Sequence, residues 1–234
     1  MKRKASLLSN LLDLIAPRRC AICGDRLDAE EPLLCAKCLK ELPVTPYCES
    51  PYDNWMARIF WGQFPIEKAS AWFFFRPHAA PSHLVYDVKY HDQKEQGEVI
   101  GQLIADRHMP YGFFDGIDAI VPLPITKKRN WERGYNQSYL VASGISRETG
   151  IPIYNDVIER KHFSKSQTHQ TSLERRNNVR NAFHLLNKEK IKSKHLLIVD
   201  DVITTGATVI ACAQELAKAE GVRISVLAIG YTKE

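Results

Sequence analysis

The chain has 234 residues, 44% of them hydrophobic, which is enough for a sizeable core and argues against general disorder. Its length suits one ordinary domain with a small module attached, or one large domain. A formal charge of +5 and an isoelectric point near 8.8 permit phosphate or nucleic-acid ligands without requiring either. No stretch is long and apolar enough to span a bilayer, so the cytoplasm is the expected location.

The chain begins MKRKASLLSNLLDLIAP. Leu7, Leu8, Leu11, Leu12 and Ile15 share one helical face, while Asn10 and Asp13 interrupt the apolar run and no small-residue cleavage site follows. The pattern predicts a short amphipathic helix rather than an export signal. Next come Cys20-Ala-Ile-Cys23 and Cys35-Ala-Lys-Cys38, with eleven residues between the pairs. Two such turns aim four thiolates at one point, the tetrahedron that Zn²⁺ takes in closed structural sites. Disulfides are disfavoured without an export signal; a four-thiolate iron–sulfur cluster is the alternative. Residues 18–45 hold few large apolar residues, so the metal is expected to fold this module. Cys48 reads as a spare thiol and Cys212 as core.

Pro43, Pro46 and Pro51 suggest a linker, dividing the chain into a zinc-binding module over residues 1–50 and a larger domain over 60–234. In that domain strands are expected at 69–75, 118–122, 157–160, 182–186, 196–199 and 224–229, and helices at 83–90, 97–108, 136–149 and 208–220. This alternation predicts an α/β fold, a mostly parallel sheet flanked by helices. Ligands of such sheets bind beyond the carboxyl ends of the strands. The aromatic run Phe60, Trp61, Trp72, Phe73, Phe74 and Phe75 is read as core.

At one predicted strand end stands LLIVDDVITTGAT, residues 196–208. It lacks the P-loop pattern, and Gly206 stands alone, which excludes the dinucleotide fingerprint. A small, hydroxyl-rich loop opening a helix suits a phosphate, because free backbone N–H groups converge there. Two carboxylates beside a monophosphate cradle suit a sugar phosphate, whose vicinal hydroxyls they would accept. A strand end with an acidic cap is the plainer reading, and it leaves the doubled Asp and three threonines unexplained. Cations gather in two places: Lys127, Lys128, Arg129 and Arg133 against Glu132, and Arg160, Lys161, Lys165, Arg175, Arg176 and Arg180 against Glu174. Such runs also form ordinary solvated surface.

The segment 196–208 resembles the phosphoribosyl diphosphate (PRPP) signature of type I phosphoribosyltransferases. Together with the cysteine module, VPLPITKKRNWERGYNQS (121–138), Lys89-Tyr90 and SQTHQTSLERRNNVRNAF (166–183), the chain resembles the ComF (GntX-like) family nearly end to end. The resemblance implies that Asp200 and Asp201 bind the ribose hydroxyls, directly or through the Mg²⁺ shell. It also implies that Thr204, Thr205, Gly206, Ala207 and Thr208 hold the 5′-phosphate. Arg133, with Lys127, Arg175 and Arg176 as further candidates, would face the diphosphate, and residues 167–180 would close over the reacting centre. No catalytic base stands out. The activity implied is phosphoribosyl transfer to an unnamed acceptor. The alternative is a non-catalytic PRPP sensor or single-stranded-DNA-binding factor of the competence machinery, with Trp131, Tyr135 and Phe163 as stacking candidates.

Overall fold

The computed structural model describes residues 17–90, 94–161 and 182–233, without the side chains of 88–90. The predicted N-terminal helix, Phe163, the segment 167–180 expected to close over the reacting centre, and Lys165, Arg175, Arg176 and Arg180 of the second basic run lie outside them. In chain order the described elements are α1 (Ala36–Glu41), α2 (Trp55–Arg58), β1 (Ala69–Phe74), α3 (His83–Tyr90), α4 (Lys94–His108), β2 (Ala119–Pro122), α5 (Lys127–Arg133), α6 (Gln137–Thr149), β3 (Ile158–Arg160), β4 (Phe183–Leu185), α7 (Lys188–Ile191), β5 (His195–Ile203), α8 (Ala207–Leu216) and β6 (Arg223–Tyr231).

The apolar runs of β5 and β6 are continuous because both faces of their sheet are covered. The sheet has the order β1-β6-β5-β2 and every pair in it is parallel. Leu197, Val199, Leu227 and Ile229 turn to one face, where α4 and α6 supply Ile100, Ile104, Leu140, Val141 and Ile145. Leu196, Ile198, Ile224 and Val226 turn to the other, where α8 supplies Val209, Cys212 and Leu216. The helices that follow β2 and β5 therefore lie on opposite faces, and the crevice between these strands opens at their carboxyl ends.

Helices α4 and α6 cross at bare backbone. A methyl group on Gly101 would stand 2.1 Å from Val141 O, and one on Gly144 2.0 Å from Glu98 O. Both positions exclude any side chain.

Three expectations change in the structure. Strands β3 and β4 do not join the parallel sheet; they pair antiparallel with each other, Ile158 opposite Leu185 and Arg160 opposite Phe183, and bury Ile158 and Phe183 on the α8 side. The proline-rich stretch is not a slack linker. Val44 bridges Phe73, Thr45 N–H donates to Trp72 O (2.9 Å) and Phe74 N–H donates to Pro43 O (2.8 Å). Proline lacks an N–H but its carbonyl serves the ladder, so the stretch covers the sheet's outer edge. Trp61 is not core: it is 57% exposed while its neighbour Phe60 is fully buried.

The cysteine module packs on the α4–α6 face. Leu27, Leu33, Leu34 and Leu42 belong to the same apolar cluster as Trp72, Phe75 and Leu84. The module has few apolar residues of its own and buries them against the larger domain.

Candidate functional site

Strand β5 does not stop before the aspartates. It runs on to Ile203 because β6 offers partners as far as Tyr231. The ladder pairs Asp200 with Ala228 and Val202 with Gly230. The packing shows a break in the strand's period of two. Val199 and Val202 pack on one face, and Ile198 and Ile203 on the other; a regular strand would put residues three or five apart on opposite faces. Two side-chain bonds hold this irregularity. Asp201 N–H donates to Asp200 Oδ1 (2.8 Å) and Val202 N–H donates to Asp201 Oδ1 (2.5 Å). Both carboxylates are thereby tethered at the carboxyl end of the sheet, half-buried.

Beyond Ile203, Thr204, Thr205 and Ala207 are exposed, Thr208 is half-buried and Gly206 is buried. Gly206 is the N-cap of α8, with φ of +70°, and among the described residues no side chain caps the helix. The first-turn N–H groups of α8 are thus uncapped by the chain's own side chains, the usual setting for a bound anion.

The second wall follows β2. Thr126 caps α5, its hydroxyl accepting from Arg129 N–H at 3.3 Å. Gly134, at φ of +72°, closes the helix. Asn136 then caps α6, accepting from Ser138 N–H (3.1 Å) while its amide donates to Leu123 O (3.0 Å). The run Arg133-Gly134-Tyr135-Asn136 is therefore a helix stop followed at once by a helix start, with Tyr135 buried between. Arg133 is half-buried at the end of α5 and Lys127 is exposed at its start, 3.9 Å from Glu159. Gln137 opens α6 almost fully buried, and its Oε1 has no hydrogen-bond partner among the described residues.

Sequence reasoning missed Arg160 as a site residue. Its guanidinium lies 5.5 Å from the centre of the Phe183 ring. Burial lowers its pKa, the nearby charge of Arg129 adds to this, and Asp200 acts in the opposite sense. Arg160 thus links the β3–β4 ribbon to the aspartates. The signal was present as the first member of the second basic run, but the antiparallel pairing that sets Arg160 beside Phe183 is not written in the charge pattern. Arg175 and Arg176 lie outside the described residues.

The four expected cysteines converge. The Sγ atoms of Cys20, Cys23, Cys35 and Cys38 all lie within 4.8 Å of one another, and Cys23 and Cys35 are 3.8 Å apart. Zn–S bonds of about 2.3 Å place tetrahedral sulfurs about 3.8 Å apart, so the set fits zinc. Cys35 N–H points at Cys20 Sγ and Cys38 N–H at Cys35 Sγ, both at 3.4 Å. Burial opposes ionisation of Cys20, but the N–H groups around its sulfur outweigh it and bring its pKa down to about 7. That favours the thiolate a metal needs. Cys48 and Cys212 are buried apart from the cluster. Among the described residues, no helix is long and apolar enough to cross a membrane.

Residues 135–232 match the phosphoribosyl transferase domain model, and residues 11–51 match the double zinc ribbon domain model. Competence protein F of Haemophilus influenzae is 39% identical over 92 residues, covering 39% of this chain and 40% of the relative. The DNA utilization protein YhgH of Salmonella typhi is 32% identical over 138 residues, covering 58% of this chain and 60% of the relative. The chain thus spans between about two-fifths and three-fifths of the length of these relatives. Among solved structures, glutamine PRPP amidotransferase from B. subtilis aligns at a TM-score of 0.39 and 18% identity, over 56% of this chain and 25% of that one. The chain thus matches a phosphoribosyl transferase domain behind a double zinc ribbon, and is similar in sequence to competence protein F and to YhgH.

Proposed function

We propose that this chain binds PRPP with Mg²⁺ and transfers its phosphoribosyl group to an acceptor. The observation that carries the reading is the pairing of two tethered carboxylates with an anion-ready loop three residues further on. The backbone of residues 204–208 and the hydroxyls of Thr204, Thr205 and Thr208 would hold the 5′-phosphate. Gly206 allows the chain to turn into α8 without a side chain in the way. Asp200 and Asp201 would accept the ribose hydroxyls or the waters of the metal. Mg²⁺, when bound, supplies positive charge to the diphosphate as it leaves.

Cleavage at ribose C1 leaves cationic character on the sugar and more negative charge on the diphosphate. Preorganised cations lower that barrier most where water is scarce. Arg160, half-buried beside the Phe183 ring, suits this role, with Arg129, Arg133 and Lys127 of α5 as further cations. Arg175 and Arg176 are further candidates from the sequence alone.

The experiment is incubation with PRPP, Mg²⁺ and a panel of nitrogen acceptors, following released diphosphate. Acceptor-dependent release, lost when Asp200 and Asp201 are both changed to Asn, is expected. Failure of every acceptor together with failure to bind PRPP would overturn the reading.

The relatives' names favour a second reading, a DNA-handling factor, in which PRPP binding would serve sensing without turnover. Its structural support is α5, where Trp131 is 87% exposed among Lys127, Lys128, Arg129 and Arg133. PRPP binding without diphosphate release from any acceptor would select it.

A further inference from the structure

Gln137 ends the run Arg133-Gly134-Tyr135-Asn136-Gln137 and is the first residue of α6. It is only 3% exposed, and its Oε1 has no hydrogen-bond partner among the described residues. A glutamine that opens a helix ordinarily reaches into water. Burying a carbonyl oxygen without a donor is destabilising, and leucine would fill nearly the same volume at no such cost. The neighbouring amide is engaged elsewhere: Asn136 Nδ2 donates to Leu123 O (3.0 Å) and Asn136 Oδ1 accepts from Ser138 N–H (3.1 Å).

A short chain of hydrogen bonds sets where Gln137 stands. Leu123, just past β2, donates its N–H to Val199 O (2.9 Å), and its own carbonyl receives Asn136 Nδ2. Asp200 and Asp201 follow Val199 directly. The start of α6 is thereby held at the carboxyl end of β2, one strand away from the two aspartates. Asp200 and Asp201 each accept one backbone N–H, and a carboxylate can accept about four such bonds. Two carboxylates and one buried carboxamide oxygen therefore come to this end of the sheet as acceptors.

An acceptor calls for a donor. A deprotonated phosphate or diphosphate has no hydrogen to give. A hydrated Mg²⁺ has many, because it takes oxygen ligands and keeps several waters, each of them a donor. We propose that Gln137 is an outer-shell ligand of the Mg²⁺ that accompanies PRPP, its Oε1 accepting from a water on the ion. The inference rests on the PRPP reading of the site and adds a selectivity to it. The buried oxygen stays unmatched in the free protein and is matched when the metal arrives, so PRPP carrying Mg²⁺ is favoured over bare PRPP.

The test is calorimetric titration of the zinc-loaded chain with PRPP at a series of Mg²⁺ concentrations, beside thermal melts without ligand. Outer-shell partners are worth about 10–100-fold in metal affinity. Gln137→Leu is therefore expected to need about tenfold or more Mg²⁺ for the same gain in PRPP affinity, with affinity for bare PRPP unchanged. Gln137→Glu keeps an oxygen in place and should retain the wild-type response to Mg²⁺. Without ligand, Gln137→Leu should melt at or above the wild type, because the unmatched oxygen is gone. Three results would each overturn the inference while leaving the PRPP reading standing. One is an equal response to Mg²⁺ in the wild type and Gln137→Leu, or an equal loss with and without the ion. Another is a Gln137→Leu protein that melts below the wild type or fails to fold, which would assign the side chain to the fold. The third is loss of PRPP binding in Gln137→Glu, which would make the amide a donor. No PRPP binding by the wild type at any Mg²⁺ concentration would overturn the PRPP reading and this inference with it.

Discussion

Gly206 stands against the ring of Phe60: a methyl group on its α-carbon would lie 2.9 Å from Phe60 Cε1 and 3.1 Å from Ile59 Cδ1. The segment that joins the cysteine module to the sheet is therefore the floor of the loop proposed to hold the phosphate. Gly206→Ala adds a left-handed backbone penalty of about 1–2 kcal/mol to this overlap. It is expected to lower PRPP affinity about tenfold or more while far-ultraviolet circular dichroism is unchanged. Adding Phe60→Leu, which clears room for the methyl group, should recover part of the loss in calorimetry. No recovery would mean that the backbone alone sets the effect.

Arg160 is the cation that the structure adds to the candidate site. Arg160→Gln removes a half-buried charge that Asp200 stabilises electrostatically, and charge-assisted hydrogen bonds are worth about 1.5–3 kcal/mol. The expected result is PRPP binding weakened about tenfold or more. Arg160→Lys should restore only part of it, since an ammonium does not fork to two oxygens. Equal affinities for all three proteins would place Arg160 outside the site.

Much of this was legible in the sequence, and the omissions share a cause. The four-cysteine cluster and the buried strand at 196–199 could be read because spacing and an unbroken apolar run are local signals. The continuation of β5 through Asp200 and Asp201 could not, since it depends on how far β6 extends beside it. Trp61 was misread for a similar reason: an aromatic run gives no sign of which member turns under Gly206. Arg160 was visible as charge, but its direction comes from pairing with Phe183 across a separate ribbon. The edge formed by residues 43–45 was hidden because prolines suggest a linker until their carbonyls find a strand.

Metal removal tests the cysteine cluster. One zinc per chain is expected, released by a strong chelator. Hydrogen exchange should then speed up across residues 17–42. Because Leu27, Leu33, Leu34 and Leu42 share a cluster with Trp72 and Phe75, some loss of protection should reach β1 while β5 and β6 stay protected. No zinc by metal analysis, or unchanged exchange after its removal, would contradict this.

His108 predicts an acid limit to stability. The Ile104 carbonyl, 2.7 Å from its Nδ1, requires that nitrogen to donate, so Nε2 accepts the Ser70 hydroxyl at 2.9 Å. Burial, with Arg107 adding to it, lowers the ring's pKa to about 4. The folded value lies below the unfolded one of about 6.5, so the unfolded chain takes up the proton first as pH falls. The contribution is complete above about pH 6.5 and is lost on descending toward pH 4, a change of roughly 3 kcal/mol. Urea melts across this range should show the decline, and His108→Gln should flatten it. Equal slopes for both proteins would assign the decline to other groups.

The central claim is that Asp200, Asp201 and the loop after them hold a sugar phosphate. Its most direct test is calorimetric titration of the zinc-loaded chain with PRPP and Mg²⁺, beside the variant carrying Asp200→Asn and Asp201→Asn. Two charge-assisted interactions at about 1.5–3 kcal/mol each predict a loss of about two orders of magnitude or more with the fold intact. Wild-type binding that the double variant retains, or no PRPP binding by the wild type at all, would contradict the account.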